Sequence, residues 1–287
     1  MLSTNRLCCA GRFLVSSYAR FSTSLPSEPI RTRPTVEVHD LLHLVYNRIG
    51  FLRVPNYVPK KVTRAICLKL DSDFKVTDYE NAPGVGKVDG VGTPFFETEN
   101  KPVALRKYYE TARKSMDAAR DLCRPYLSPL DKLRLELDER WPKGATVLNL
   151  GSGKMFSGLI RVLNGAVLAH EDKLERDMEC SSRSLNYVGQ LACNIYLRMP
   201  KAGGELTRWG ISLPDEEYKK RIGSTYGIEP ASLPKRSITI RPCTGDLIIF
   251  NPRFLHAVGA ASSETSRVSM STFILYQGDD RPFSFWS

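Results

Sequence analysis

The chain has only four histidines in 287 residues, and its seven cysteines include no C-x-x-C pair. An odd cysteine count without that spacing excludes a disulfide framework and fits a reducing compartment, with most cysteines read as small buried residues. No apolar run approaches the ~20 residues of a membrane span, and no period repeats. With 42% hydrophobic residues the chain reads as soluble and globular, able to bury a sizeable core. Acids are nearly missing from the first 34 residues, which hold Arg6, Arg12, Arg20, Arg31 and Arg33 against Glu28 alone. Arginines set among Ser, Leu, Phe and Val are the composition of a mitochondrial or plastid import signal, and a disordered tail on a cytoplasmic protein is the alternative. A secretory signal is disfavoured because Arg12 and Arg20 interrupt its apolar run. Outside this leader 36 bases face 30 acids, dispersed and without a basic and aromatic stripe. That pattern gives no footprint for nucleic acid or membrane, and none for an oligomeric state.

Two halves differ in pattern. From Val36 to about Trp141 the signals are mostly helical: "VHDLLHLVYNRIG" with a glycine stop, "VALRKYYETARKSMDAARDLCRPYL" ending near Pro125, and "SPLDKLRLELDERW" opening on Ser128 and Pro129. Between the first two lies the loop-rich passage "ENAPGVGKVDGVGTPFFETENKP", long enough to suggest a cover over something. From Ala145 onward eight short extended runs follow one another: "SGLIRVLN", "AVLAHED", "LACNIYLRM", "GGELTRW", "SITIRP", "GDLIIFNP", "FLHAVGA" and "RVSMSTFILY". Strands so closely spaced predict an antiparallel sandwich or barrel rather than a parallel sheet. The interruption from Ile211 to Arg236, with the short helix candidate "DEEYKKRIG", reads as an insertion at the rim of the sheet.

"VLNLGSGKMFSGLIRVLNGAVLAHED" admits two readings. Its left end resembles the first S-adenosylmethionine motif, and "DLIIFNPRF" resembles the Asn-Pro-Pro-aromatic motif of amino-group methyltransferases. Against this, Met155 stands where a third glycine is required, Arg253 replaces the second proline, and the flanking pattern lacks the helices of a doubly wound fold. Its right end places His170 and Asp172 on one side of a strand, since strand side chains alternate. His256, at the end of another strand candidate, completes two imidazoles and a carboxylate, a set suited to non-haem iron(II). The other two histidines, His39 and His43, stand one helical turn apart but lack a third ligand, so they read as helix-surface or packing residues.

Arg267 follows His256 with ten residues between, and Ser269 follows it by two. Here the chain resembles the iron(II)/2-oxoglutarate-dependent oxygenases, whose His-x-Asp, distal His and Arg-x-Ser occur in this order. "GGELTRWG" and "GDLIIFNPRFLHAVGA" resemble that family's hairpin and Gly-Asp turn. The spacing from Arg161 to His170 is like that of its prolyl-hydroxylase-like and amino-acid-tailoring branches. The resemblance covers about residues 145 to 276. It implies a double-stranded β-helix (jelly-roll, cupin-like) with an N-terminal helical layer, a single domain over 35–287 divided at about residue 145. It implies Fe(II) on His170, Asp172 and His256, with 2-oxoglutarate on Arg267 and Ser269. Oxygen is the other co-substrate, with ascorbate as an accessory reductant. The activity implied is a dioxygenase that hydroxylates a small molecule such as an amino acid or specialised metabolite. A methyltransferase, or a metal-binding jelly-roll without catalysis, is the competing reading.

Strand parity nominates pocket residues. In "LACNIYLRM" the face carrying Asn194 and Tyr196 is expected to line the barrel as further candidate co-substrate contacts, or else to form a solvent-facing row, with Cys193, Ile195 and Leu197 toward the helices. Arg161 is a candidate for an anionic substrate group, or else a surface pairing residue. Trp209 and Phe96 are candidates for the substrate wall, with core packing the alternative for both and for Phe95. Glu171, between two ligands, is expected to point away from them.

Overall fold

The computed structural model describes residues 24–73, 77–78, 88–163, 165–178, 186–261 and 265–287. In chain order it contains β1 (Glu28–Thr32), α1 (Val38–Val45), β2 (Ile49–Val54), α2 (Lys60–Asp73), β3 (Thr77–Asp78) and β4 (Val88–Val91). A 3-10 turn at Phe95–Thr98, α3 (Pro102–Cys123), α4 (Pro129–Arg140), β5 (Ala145–Val147), β6 (Leu159–Leu163), β7 (Val167–His170) and α5 (Leu174–Asp177) follow. The chain then forms β8 (Gly189–Arg198), β9 (Leu206–Arg208), α6 (Asp215–Ile222), a 3-10 turn at Pro230–Ser232 and β10 (Ile238–Ile240). It ends in β11 (Leu247–Phe250), β12 (His256–Val258), β13 (Arg267–Tyr276) and β14 (Phe283–Trp286).

These strands make two facing sheets, a double-stranded β-helix. The larger runs β1-β2-β11-β8-β13-β6-β4-β3 with β14 and β5 beside β13, and the smaller runs β10-β9-β12-β7. All eight runs read as strands after Ala145 are strands, and the three helices read before it form. The N-terminal half is less purely helical than its pattern predicts. Ile49–Val54 follows the glycine-stop helix as β2, pairing β1 in parallel and β11 antiparallel, and α2 was not anticipated. Five of the six β2 residues are buried, so the strand lacks the alternation that marks a half-exposed one.

The folded part also reaches back before residue 35. Asp40, fully buried on α1, takes Arg31 at 2.5 Å and Arg33 at 2.9 Å, which ties β1 to the helix. These two arginines therefore serve the fold. The import-signal reading otherwise falls on residues 1–23, which lie outside the described residues, as do Cys8, Cys9 and Cys180. Among the described cysteines, Cys67, Cys123 and Cys193 are buried and Cys243 is exposed.

β8 shows how parity builds the two compartments. Cys193, Ile195 and Leu197 pack with Leu41, Leu44, Ile66, Leu122 and Leu133 of the helices, while Ala192 and Tyr196 pack inside the barrel with Phe51, Ile248 and Phe250. The helices thus back the larger sheet, leaving its other face to enclose a chamber with the smaller one. The glycine-rich "VLNLGSGK" begins on the last residue of β5, at a sheet edge, and continues into a tight turn bridged Asn149 to Lys154, with Gly151 and Gly153 at φ of 99° and 138°. No helix follows that turn, so it has no helix N-terminus to hold a pyrophosphate, and the nucleotide reading is set aside. Among the described residues no helix is long and apolar enough to cross a membrane.

Candidate metal centre

The Gly245–Asp246 turn aims the strand that leads to the distal histidine. Gly245 has φ of 96°, and a Cβ there would lie 2.5 to 3 Å from a backbone carbonyl, at 2.6 Å from that of Val58. The buried Asp246 carboxylate accepts from Arg53 Nε at 2.8 Å and from the Cys243 backbone N–H at 2.9 Å. From this anchor the chain runs through β11 to His256, the first residue of β12, which stands opposite His170, the last residue of β7. Asp172 follows two residues on, its backbone N–H donating to Pro252 O at 3.0 Å.

Each imidazole is oriented from behind. His170 Nδ1 lies 2.8 Å from Leu168 O and His256 Nδ1 lies 3.0 Å from Phe254 O, contacts that place the proton on Nδ1 and leave Nε2 as the free donor. The Nε2 atoms sit 3.8 Å and 3.4 Å from the two Asp172 oxygens, and all three donors lie within 4.8 Å of one another. Among the described residues these are the His, Cys, Asp or Glu side chains that converge as such a group. Burial, then the neighbouring His256, pushes the His170 pKa down to about 4, so the ring is neutral and its lone pair available. Burial alone raises the Asp172 carboxyl, but His170, His256 and Arg161 outweigh it and hold the pKa at about 2. Two imidazole nitrogens and one carboxylate fit an iron(II) ion with positions left open for other ligands.

The far side of the chamber carries Arg267, Ser269 and Ser271 on one face of β13. Arg267 is buried, its Nε has no hydrogen-bond partner, and its guanidinium lies 5.8 Å from the Tyr196 ring centre. The Tyr196 hydroxyl is likewise buried, with Asn194 of the same strand beside it. Ser269 stands between Arg161 and Tyr196 on the flanking strands, and Asn194 stands opposite Ser271. A buried guanidinium without a carboxylate partner among the described residues, beside the Tyr196 phenol, fits the distal carboxylate of 2-oxoglutarate.

The structure thus brings His170, Asp172, His256, Arg267, Ser269, Asn194, Tyr196 and Arg161 to one chamber. Phe96 reaches it through Tyr226, whose ring lies 5.0 Å from His170 and 5.7 Å from Phe96. Phe95 instead packs against Tyr108 and Trp286 in the core. Trp209 does not line the chamber, a correction to its place among the substrate candidates. It packs with Leu213, Tyr218 and Leu255 outside the smaller sheet and donates to Pro234 O at 2.9 Å, because Leu206 and Arg208 take the inward parity. Glu171 points away, pairing with Lys173 and Arg176 at 2.8 Å each. His39 and His43 flank Asp40 and Arg31 on α1, away from these ligands.

Sequence reasoning missed Tyr226, which sits in the Ile211 to Arg236 insertion without periodic signal. It also missed Arg208, the cross-strand neighbour of His256. Arg208 is fully buried, stacked 4.1 Å over Phe254 and bonded to Asn47 at 2.6 Å, yet its Nε and Nη1 have no partner. Buried donors left unmatched cost about 1–3 kcal/mol each, more than one hydrogen bond returns. Arg208→Met is therefore expected to raise the melting temperature, and a lower one in a calorimetric scan would contradict this account.

No family model matches the sequence. The chain is 27% identical over 148 residues to the L-gamma-glutamyl-L-propargylglycine hydroxylase of Streptantibioticus cattleyicolor, covering 50% of this chain and 54% of that one. It thus spans about half the length of that relative. It is 26% identical over 223 residues to the leucinostatins biosynthesis cluster protein S of Purpureocillium lilacinum, covering 73% and 88%. Among solved structures, an N-substituted L-amino acid dioxygenase from Burkholderia ambifaria, in complex with alpha-KG, superposes with a TM-score of 0.60 at 14% identity over 87% and 90% of the two chains. The fold resemblance drawn from the motifs is borne out.

Proposed function

We propose that this chain, which shares its fold and its ligand pattern with the iron(II)/2-oxoglutarate-dependent oxygenases, is a non-haem iron dioxygenase that hydroxylates a small amino-acid-like molecule. The observation that carries the reading is one chamber with a metal donor set at one end and an unpartnered buried guanidinium at the other. When bound, Fe(II) with 2-oxoglutarate supplies the oxidising chemistry, in which O2 is consumed as 2-oxoglutarate becomes succinate and carbon dioxide. His170, Asp172 and His256 would hold the metal. Arg267, Tyr196 and Ser269 would fix the distal carboxylate and so orient the co-substrate. Tyr226 and Phe96 wall the chamber on the His170 side and limit water there. The substrate class is suggested by the names of the relatives, a dipeptide hydroxylase and an N-substituted amino acid dioxygenase.

The test is a mass-spectrometric screen for succinate release, stimulated by free and N-substituted amino acids. Iron-dependent release enhanced by a member of that set is expected. S-adenosylmethionine binding without succinate would turn the reading back to a methyltransferase, and metal binding without turnover would leave a non-catalytic jelly-roll. A variant sharpens the role of Asp172. Asp172→Gly should lower succinate formation at least about a hundredfold, since it removes a ligand outright where loss of a supporting contact already costs 10–100-fold. Chlorinated product from the unaltered protein in high chloride would contradict a hydroxylase, and unchanged turnover by the glycine variant would show that Asp172 is no ligand.

A further inference from the structure

Arg161 projects from β6 into the same chamber, yet the co-substrate site as described does not use it. Its Nη2 donates to Ser271 Oγ at 2.8 Å, and its Nε is buried without a partner. Its charge is felt at His170, Asp172, Tyr196, Tyr226 and Arg267, which places it between the metal ligands and the 2-oxoglutarate end. Among the described residues neither Arg161 nor Arg267 pairs with a carboxylate of its own, since the nearby Asp172 belongs to the metal set.

Three arginines face inward. Arg267 stands with Tyr196 and Ser269 where the distal carboxylate of 2-oxoglutarate is assigned. Arg208 is turned to Asn47 and stacked over Phe254. Arg161, opposite Ser269 on the neighbouring strand, keeps a buried Nε without a hydrogen-bond partner and has no anion assigned to it.

We propose that Arg161 seats a carboxylate of the prime substrate, with the apolar part of that substrate lying against Tyr226 and Phe96. The inference rests on the dioxygenase reading and narrows its substrate class to acids. A planar guanidinium held by Ser271 on one edge presents its remaining edge to a carboxylate, and the low-polarity setting strengthens the pair. An amide in place of the acid leaves the guanidinium unmatched. A hydrogen bond to a charged group is worth about 1.5–3 kcal/mol, so acid should exceed amide in affinity by about ten- to a hundredfold.

The experiment uses the full chain loaded anaerobically with Mn(II) and 2-oxoglutarate, which binds without turning over. Calorimetry compares N-acetyl-leucine, N-acetyl-phenylalanine and N-acetyl-glutamate with their C-terminal amides, in wild type and in Arg161→Gln. Wild type should prefer an acid by the stated factor, and Arg161→Gln should lose that preference while binding 2-oxoglutarate within about threefold of wild type. Its apo form should melt no lower, because a repelling charge has been removed and glutamine can still donate to Ser271. Several results would overturn the proposal: no acid bound more tightly than its amide in wild type, a preference retained in Arg161→Gln, or 2-oxoglutarate affinity falling tenfold or more in that variant. The last would assign Arg161 to the co-substrate. Wild type that binds no 2-oxoglutarate would instead remove the dioxygenase reading, and this inference with it.

Discussion

His170→Ala and His256→Ala each bring 2-oxoglutarate turnover to background while the chain stays folded. Besides one contact each to a carbonyl two residues back, the two rings touch Asp172, each other, Tyr226 and Phe250 inside the chamber, while β7, β9 and β12 remain paired through their backbones. Losing a buried imidazole from a chamber rather than from the packed core is expected to cost little stability. What is lost is a donor to the metal. A melting scan separates the two effects. Wild type should gain about 2.7 kcal/mol at a metal concentration 100 times its dissociation constant, by mass action alone, and the alanine variants should gain little. Near-normal succinate production by either variant under saturating iron would contradict the assignment, and so would an apo protein that fails to fold.

Arg267→Lys is the second substitution with a large expected effect. Burial, only partly offset by the neighbouring Tyr196, draws the Arg267 pKa down to about 10, still far enough above neutrality to keep the guanidinium charged. The charge is therefore held in place at a desolvation cost, and a dianionic ligand recovers that cost on binding. Lysine keeps the charge and loses the two-pronged geometry, so at least one charge-assisted hydrogen bond goes. At about 1.5–3 kcal/mol, the 2-oxoglutarate requirement should rise about ten- to a hundredfold, with the iron requirement unchanged. Separate titrations of metal and co-substrate distinguish the outcomes. Equal effects on both would point to general disruption of β13 instead.

The sequence made the later strands and the donor set readable because each stands alone as a local pattern. His-x-Asp, a distal histidine and Arg-x-Ser need only strand parity to converge, and "LACNIYLRM" alternates cleanly between helix-facing and chamber-facing residues. Elements buried on both sides or placed at edges were harder. Ile49–Val54 carries no strand alternation, because nearly all of it is buried, so nothing after the glycine stop marks it as a strand. β5 is an edge strand of three residues, and β14, between it and β13, has only four. Lys60–Asp73 carries a helical period in Val62, Ile66 and Leu70, all buried, that went unread between the glycine-stop helix and the loop-rich passage. At the site, Trp209 was misplaced by one step of parity: Arg208 faces in, so Trp209 faces out. Tyr226 had no local signal at all, since its position depends on how the insertion folds back over β7, where Ile228 bridges Ala169.

The most direct test of the central claim is anaerobic calorimetry of 2-oxoglutarate binding with and without Mn(II), in wild type and in His256→Ala. The account predicts one equivalent bound by wild type, strongly dependent on the metal, with that dependence abolished in the variant. Binding of equal strength with and without metal, or a metal dependence that survives the loss of His256, would contradict it.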